Sequence, residues 1–273
     1  MEKHQIAAPG MPVMASTGAV TDAENNFDPQ GKFRIFKQGA YPAVEVSVTD
    51  TDALITQGGA MISMHANVDL SVTTHGGAAA SCFRCCCAGE TFFFTQFKAA
   101  PDAPKGVAYD VLIAPGIPGE VTMLHLDGNT NWRIQKASFL GCDPTVKIDT
   151  VMQSLMKGCC SGEGFFIMKA SGAGRLVLNS FGSIIRYDLA AGEKRAVDNG
   201  ALVAWTDSMD YTISRANKNS TMASFLSGEG FVNRFTGPGT VFVQTRNLKA
   251  LADALIPYLP TQGNGGGGAG GSE

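Results

Sequence analysis

The residues best able to do chemistry lie in one short stretch, SCFRCCCAGE, which holds Cys82, Cys85, Cys86 and Cys87. Cys82 and Cys85 stand at C-x-x-C spacing, which suits a zinc knuckle or a redox dithiol. A closed zinc site needs four ligands. Cys159 and Cys160 precede a later Gly-Glu pair much as Cys86 and Cys87 precede the first, so two such segments packed face to face could complete a thiolate set. The competing reading makes these thiols small hydrophobes beside a buried turn. The chain has no second C-x-x-C pair, so the expectation is no metal site and no cofactor.

Three carboxylates form a second constellation. Gly89-Glu90, Gly162-Glu163 and Gly228-Glu229 each stand just before a Phe and an apolar run, and the text SGEGF occurs twice, at Ser161–Phe165 and Ser227–Phe231. Gathered near one axis, Glu90, Glu163 and Glu229 could bind a cation or raise one another's pKa. A Glu after Gly can instead accept turn N–H bonds or pair with a base, and Arg84 and Lys157 each lie five residues before the first two turns. Because turn formation accounts for both repeated residues, these six positions are read as structural turns.

The remaining motifs carry less. Gly172-Ala173-Gly174 and Gly237-Pro238-Gly239 look like phosphate loops, but neither opens a helix with Lys-Ser/Thr, so both are read as hairpin turns. His4, His65, His75 and His125 show no metal spacing, and no G-x-S-x-G elbow occurs. Trp132 and Trp205 are read as core or interface anchors. No catalytic residue is assigned, and the chain is read as a non-enzyme.

Composition narrows the class. The 273 residues are 44% hydrophobic and only 16% charged, with 33 Gly, which suits many short strands joined by tight turns and excludes wholesale disorder. The net charge of −3 shows no basic face for nucleic acid. No apolar run approaches the roughly eighteen residues that span a bilayer. The N-terminal text has no secretory apolar segment, has no Arg before Arg34 and carries Glu2, Asp22, Glu24 and Asp28, the opposite of a transit peptide. Seven Cys without a signal peptide are read as reduced thiols, and the location as cytoplasmic.

The elements that must position these residues repeat. Each Gly-Glu turn is followed by an apolar strand, a small-residue turn and a Val/Leu-rich strand. Upstream of each turn sits a second shared element: GGAMISMHANVDLSV from Gly58, ASFLGCDPTVKID from Ala137 and NGALVAWTDSMDYTI from Asn199. The chain is read as three copies of one β-unit with a period near seventy residues. VEVSV, RLVLN, DYTIS and TVFVQT alternate as strands with one buried face do. Gly172, Gly174, Gly182, Gly192 and Gly237 are expected at positive φ, and Gly141-Cys142-Asp143 as a turn. RNLKALADALIPYL places Leu248, Leu251, Leu255 and Leu259 at helical spacing, with Asn247 as N-cap and Pro257 near its end. Its stripe is expected to cover an open end of the sheets. A membrane-surface helix is the rival, opposed by its single Lys. The expected organisation is an N-terminal arm over 1–31, β-repeats over 32–136, 137–198 and 199–246, a helix over 247–260 and a Gly-rich tail over 261–273.

GETFFF, IAPGIPGEVTMLHL, FLGCDPTVKID, GEGFFIMKASGAGRLVLNSFGSIIRYDL, VDNGALVAWTDSMDYTI and GEGFVNRFTGPGTVFVQT, in that order, resemble the altered-inheritance-of-mitochondria protein twenty-four family over roughly Phe33 to Pro260. The resemblance implies a fold like the tryptophan RNA-binding attenuation protein, that is, duplicated antiparallel β-sandwich or prism units. It also implies a link to mitochondrial organisation and brings no catalytic residues.

The expectation is thus an all-β chain of three antiparallel units about a pseudo-threefold axis, with one C-terminal helix. It would work as a non-enzymatic scaffold or binding protein, with itself or other proteins as partners. Small-ligand binding and Cys-based metal or redox chemistry are the alternatives, and mitochondrial residence is the alternative location.

Overall fold

The computed structural model describes residues 26–27, 31–36, 41–73, 93–153, 165–215 and 231–259. Two strands lead the chain, β1 (Asn26–Phe27) and β2 (Phe33–Phe36). Six follow: β3 (Ala43–Val48), β4 (Leu54–Gln57), β5 (Met61–Met64), β6 (Val68–Thr73), β7 (Phe94–Ala99) and β8 (Tyr109–Ile113). The next six are β9 (Val121–Asp127), β10 (Trp132–Gln135), β11 (Phe139–Cys142), β12 (Lys147–Gln153), β13 (Phe165–Ser171) and β14 (Ala173–Asn179). The last six are β15 (Ile184–Leu189), β16 (Lys194–Asp198), β17 (Leu202–Thr206), β18 (Asp210–Arg215), β19 (Phe231–Thr236) and β20 (Gly239–Gln244).

These strands form four sheets. The first runs β1-β2-β3-β8-β5, the second β6-β7-β4-β11-β14-β9, the third β12-β13-β10-β17-β20-β15 and the fourth β16-β19-β18. Every pair of neighbouring strands is antiparallel. Adding six to each strand number turns the order of the second sheet into that of the third.

Three apolar clusters order the layers. Val44, Val46, Val111 and Ile113 of the first sheet pack on Leu54, Phe97, Leu140 and Val177 of the second. On its other face the second sheet presents Ile55, Phe139, Leu176 and Leu178 to Ile134, Met168, Val203 and Phe242 of the third. The third then turns Trp205, Val241 and Val243 to Val197 and Phe235 of the fourth. Among the described residues no core cluster joins the fourth sheet to the first. The sheets therefore stack in series rather than closing into a prism about a threefold axis.

This stacking corrects the expected burial. VEVSV alternates in β3, because an end sheet has one covered face. RLVLN and TVFVQT do not alternate: Leu176, Val177 and Leu178 are all buried, as are Val241, Phe242 and Val243. Strands inside the stack are covered on both faces, so they read as continuous apolar runs.

Two glycine readings also change. Gly141 and Cys142 lie within β11 rather than in a turn, and the turn begins at Asp143, whose carbonyl accepts from the Val146 N–H at 3.1 Å. Gly172, Gly174, Gly182 and Gly192 have positive φ, but Gly237 does not. Gly237 is needed for space: a Cβ there would stand 2.2 Å from the Ala190 carbonyl oxygen.

The helix α1 (Leu248–Leu255) forms with Asn247 as its cap, whose Oδ1 accepts from the Lys249 and Ala250 N–H groups at 2.9 and 3.3 Å. A 3-10 turn at Ile256–Tyr258, holding Pro257, ends it. None of its residues is buried, and Leu248, Leu251 and Leu255 are exposed. The stripe does not cover a sheet end as expected. The cap is tied down through the Asn247 side chain, which donates to Asp198 at 3.3 Å. No helix among the described residues is long and apolar enough to cross a membrane.

Candidate functional site

Gly89, Glu90, Gly162, Glu163, Gly228 and Glu229 lie outside the described residues, as do Cys82, Cys85, Cys86, Cys87, Cys159 and Cys160. The three Gly-Glu pairs nevertheless fall at corresponding places along the chain. Each lies between the strands of an antiparallel pair, β6–β7, β12–β13 and β18–β19. The one described cysteine, Cys142, is fully buried, and burial pushes its thiol far above the ordinary range, with the Asp143 charge adding to the shift and Lys32 opposing it. A thiol so placed is a core residue rather than a nucleophile.

The buried charged residues are used as staples between layers. Lys32, just before β2, donates through Nζ to Asp143 Oδ1 and Asp52 Oδ1, each at 2.7 Å, and to the Ala53 carbonyl at 2.9 Å. Arg175 on β14 donates to Asp143 Oδ2 from its backbone N–H at 2.8 Å and from Nε at 2.7 Å. Asp143 thus has both oxygens satisfied and joins the first sheet to the second. A second staple joins the third to the fourth. Asp207 pairs with Arg133 Nε and with Lys169 Nζ, the latter at 2.7 Å, while Arg133 Nη1 donates to the Tyr211 hydroxyl at 2.8 Å. Burial works to raise the Asp207 carboxyl, but the hydrogen bonds from Lys169 and Arg133 outweigh it and leave the group below its usual range. Burial pushes the Tyr211 phenol up. Neither staple was legible in the sequence.

Trp205 sits in the core, and Trp132 is half-buried against a core cluster. Trp205 is buried edge-to-face on Tyr211 and Phe235, with centroids at 5.5 and 5.6 Å, and Trp132 leans on Phe242 at 5.6 Å. A groove of about 540 Å³ on the fourth sheet is lined by Lys194, Arg195, Arg234, Asp210 and Tyr211.

The sheet edges differ from the interior strands in their backbone pairing. Inside the stack β11 has a partner on each side, β14 and β4, and β17 has β20 and β10. β5 meets β8 on one side and ends the first sheet on the other. β11, β17 and β5 all carry a bulge at one place, between Phe139 and Gly141, Leu202 and Ala204, and Met61 and Ser63. That aligns Ile62 with Leu140 and Val203. The two interior residues are 0% exposed and Ile62 is 57% exposed. Met61 and Met64 beside it are also exposed, and so are Leu70 and Val72 on β6. At the far end of the stack, β16 pairs only with β19 among the described residues, so its other edge is equally unpaired there.

The described fold is therefore that of an all-β protein of stacked antiparallel sheets, with its apolar surplus at the ends. The model of the mitochondrial biogenesis AIM24 family matches residues 33–246, and the chain belongs to that family. An uncharacterised protein of Streptococcus pyogenes serotype M6 is 31% identical over 244 residues, covering 87% of this chain and 94% of the relative. The crystal structure of a Streptococcus pyogenes protein matches with a TM-score of 0.69 at 31% identity, covering 83% of this chain and 99% of the other.

Proposed function

We propose that this chain is a non-enzymatic scaffold, three copies of a six-stranded unit whose end surfaces bind protein partners. The units run over 43–113, 121–179 and 184–244, each giving three strands to one sheet and three to the next. Bulges at matching places in β5, β11 and β17 support this division. So does a repeated hydrogen bond: Asn179 Nδ2 donates to the Ala137 carbonyl and Gln244 Nε2 to the Gly200 carbonyl, both at 3.0 Å.

The observation that carries the functional reading is where the polar and apolar groups go. The buried charges are spent inside, holding layers together, while the large exposed apolar side chains gather on β5, β6 and α1. Contiguous exposed apolar surface marks interaction sites. Chemical cross-linking of the native protein, with the linked peptides identified, tests the reading. Cross-links to protein partners should concentrate on β5, β6 and α1. A turnover activity lost on changing Asp207, with the fold intact by circular dichroism, would overturn it.

A further inference from the structure

We propose that the unpaired edge of β16 in one copy of this chain pairs with the unpaired edge of β5 in a second copy, joining molecules head to tail. The proposal rests on the scaffold reading and names the partner for two of its surfaces. The chain itself supplies the template. Twice within one molecule, the second strand of one unit pairs with the bulged strand of the next: β4 with β11, through Thr56 opposite Gly141 and Ile55 opposite Cys142, and β10 with β17, through Ile134 opposite Ala204, Arg133 opposite Trp205 and Trp132 opposite Thr206. The third strand of this kind is β16, and the remaining bulged strand is β5. Carrying the same register forward sets Val197 opposite Ser63, Ala196 opposite Met64 and Arg195 opposite His65.

The two edges cannot meet within one molecule. β16 lies in the fourth sheet and β5 in the first, with two full sheets between them. At about 10 Å per layer that separation is roughly 30 Å. Pairing between copies would instead build β18-β19-β16 onto β5-β8-β3 of the neighbour, reproducing the six-strand order found in the second and third sheets. It would bring Ile62, Met61 and Met64 into the setting where their counterparts are buried. Charge agrees: β16 brings Lys194 and Arg195, and next to His65 on the receiving side is the exposed Asp110, whose carbonyl accepts from the His65 N–H at 3.0 Å. Such a contact is heterologous, so it propagates into a ring or a filament rather than stopping at a two-fold dimer.

The test uses two single substitutions at exposed edge positions, Met64→Glu on β5 and Ala196→Glu on β16, each checked for an unchanged thermal transition. Wild-type protein should sediment as species larger than a 28.6 kDa monomer, and each variant alone should run as a monomer. An equimolar mixture should form a one-to-one dimer, because the intact β16 of the first variant meets the intact β5 of the second. A monomeric wild type overturns the proposal, even if cross-linking finds another protein on these surfaces, a result that would leave the scaffold reading in place. It is also overturned if Ala196→Glu still dimerises, which would mean β5 pairs with itself, or if the mixture stays monomeric. Should either glutamate disturb the fold, Ser63→Lys and Ala196→Lys, both at exposed positions of the two edges, repeat the test with the same expected outcomes.

Discussion

β17 and β5 hold the same place in a sheet and share a bulge, yet one is deeply buried in the stack and the other lies open. In β17 the sequence Leu202-Val203-Ala204-Trp205 is buried throughout; in β5 Met61-Ile62-Ser63-Met64 is exposed throughout. On the bulged side they are alike, since each pairs with a neighbour across the bulge. The difference is what lies beyond: β17 has a second strand partner and a layer on each face, and β5 ends its sheet. Burial here is a property of position in the stack, and the side chains follow it, with the large rigid Trp205 inside and flexible methionines at the edge.

The sharpest way to test that contrast is to truncate the same structural place in both settings. Trp205→Ala should cost about 3–5 kcal/mol of stability in denaturant titration, since it empties the contact with Tyr211 and Phe235. Met64→Ala, at the matching place in β5, should stay within about 0.5 kcal/mol at concentrations where the protein is monomeric. Equal losses would break the comparison.

The staples sharpen it from the polar side. Asp143→Asn should cost about 3–5 kcal/mol, because it strips Arg175 of its carboxylate partner and leaves the buried Lys32 with Asp52 alone. A smaller loss is expected for Asp207→Asn at neutral pH, and its signature is pH dependence. The folded Asp207 carboxyl titrates below its ordinary value, so the unfolded chain takes up the proton first as pH falls. Its stabilisation is complete above the unfolded carboxyl pKa of about 3.9 and is lost as pH drops through the lower folded value. The melting temperature of wild type should therefore fall more steeply in that acid window than that of Asp207→Asn, and parallel curves would remove the staple's role. The smallest effect concerns Cys142, which should resist a thiol reagent at neutral pH in the folded protein and react on unfolding.

Much of the fold was legible where the cause is local. The period-2 pattern of VEVSV became β3, and Asn247 before an apolar stripe became a helix cap. The segments aligned from Gly58, Ala137 and Asn199 supply β5, β11 and β17. The staples were invisible because their members are far apart in the chain: Lys32 and Asp143 are separated by 111 positions, and Arg133 and Asp207 by 74. Gly141 was misplaced into a turn because a glycine within a bulged strand reads locally like a break.

Residue order alone determined that this chain makes short antiparallel strands, where they turn and which side chains are apolar, because those depend on φ preferences and alternation within a few residues. Only the tertiary structure decided which strands are covered on both faces, which charges meet, and that among the described residues β5 and β16 each have one edge without a partner. Those outcomes depend on contacts between distant segments such as β4 with β11, where the free energy of pairing and packing is shared by residues that carry no mark of one another in the sequence.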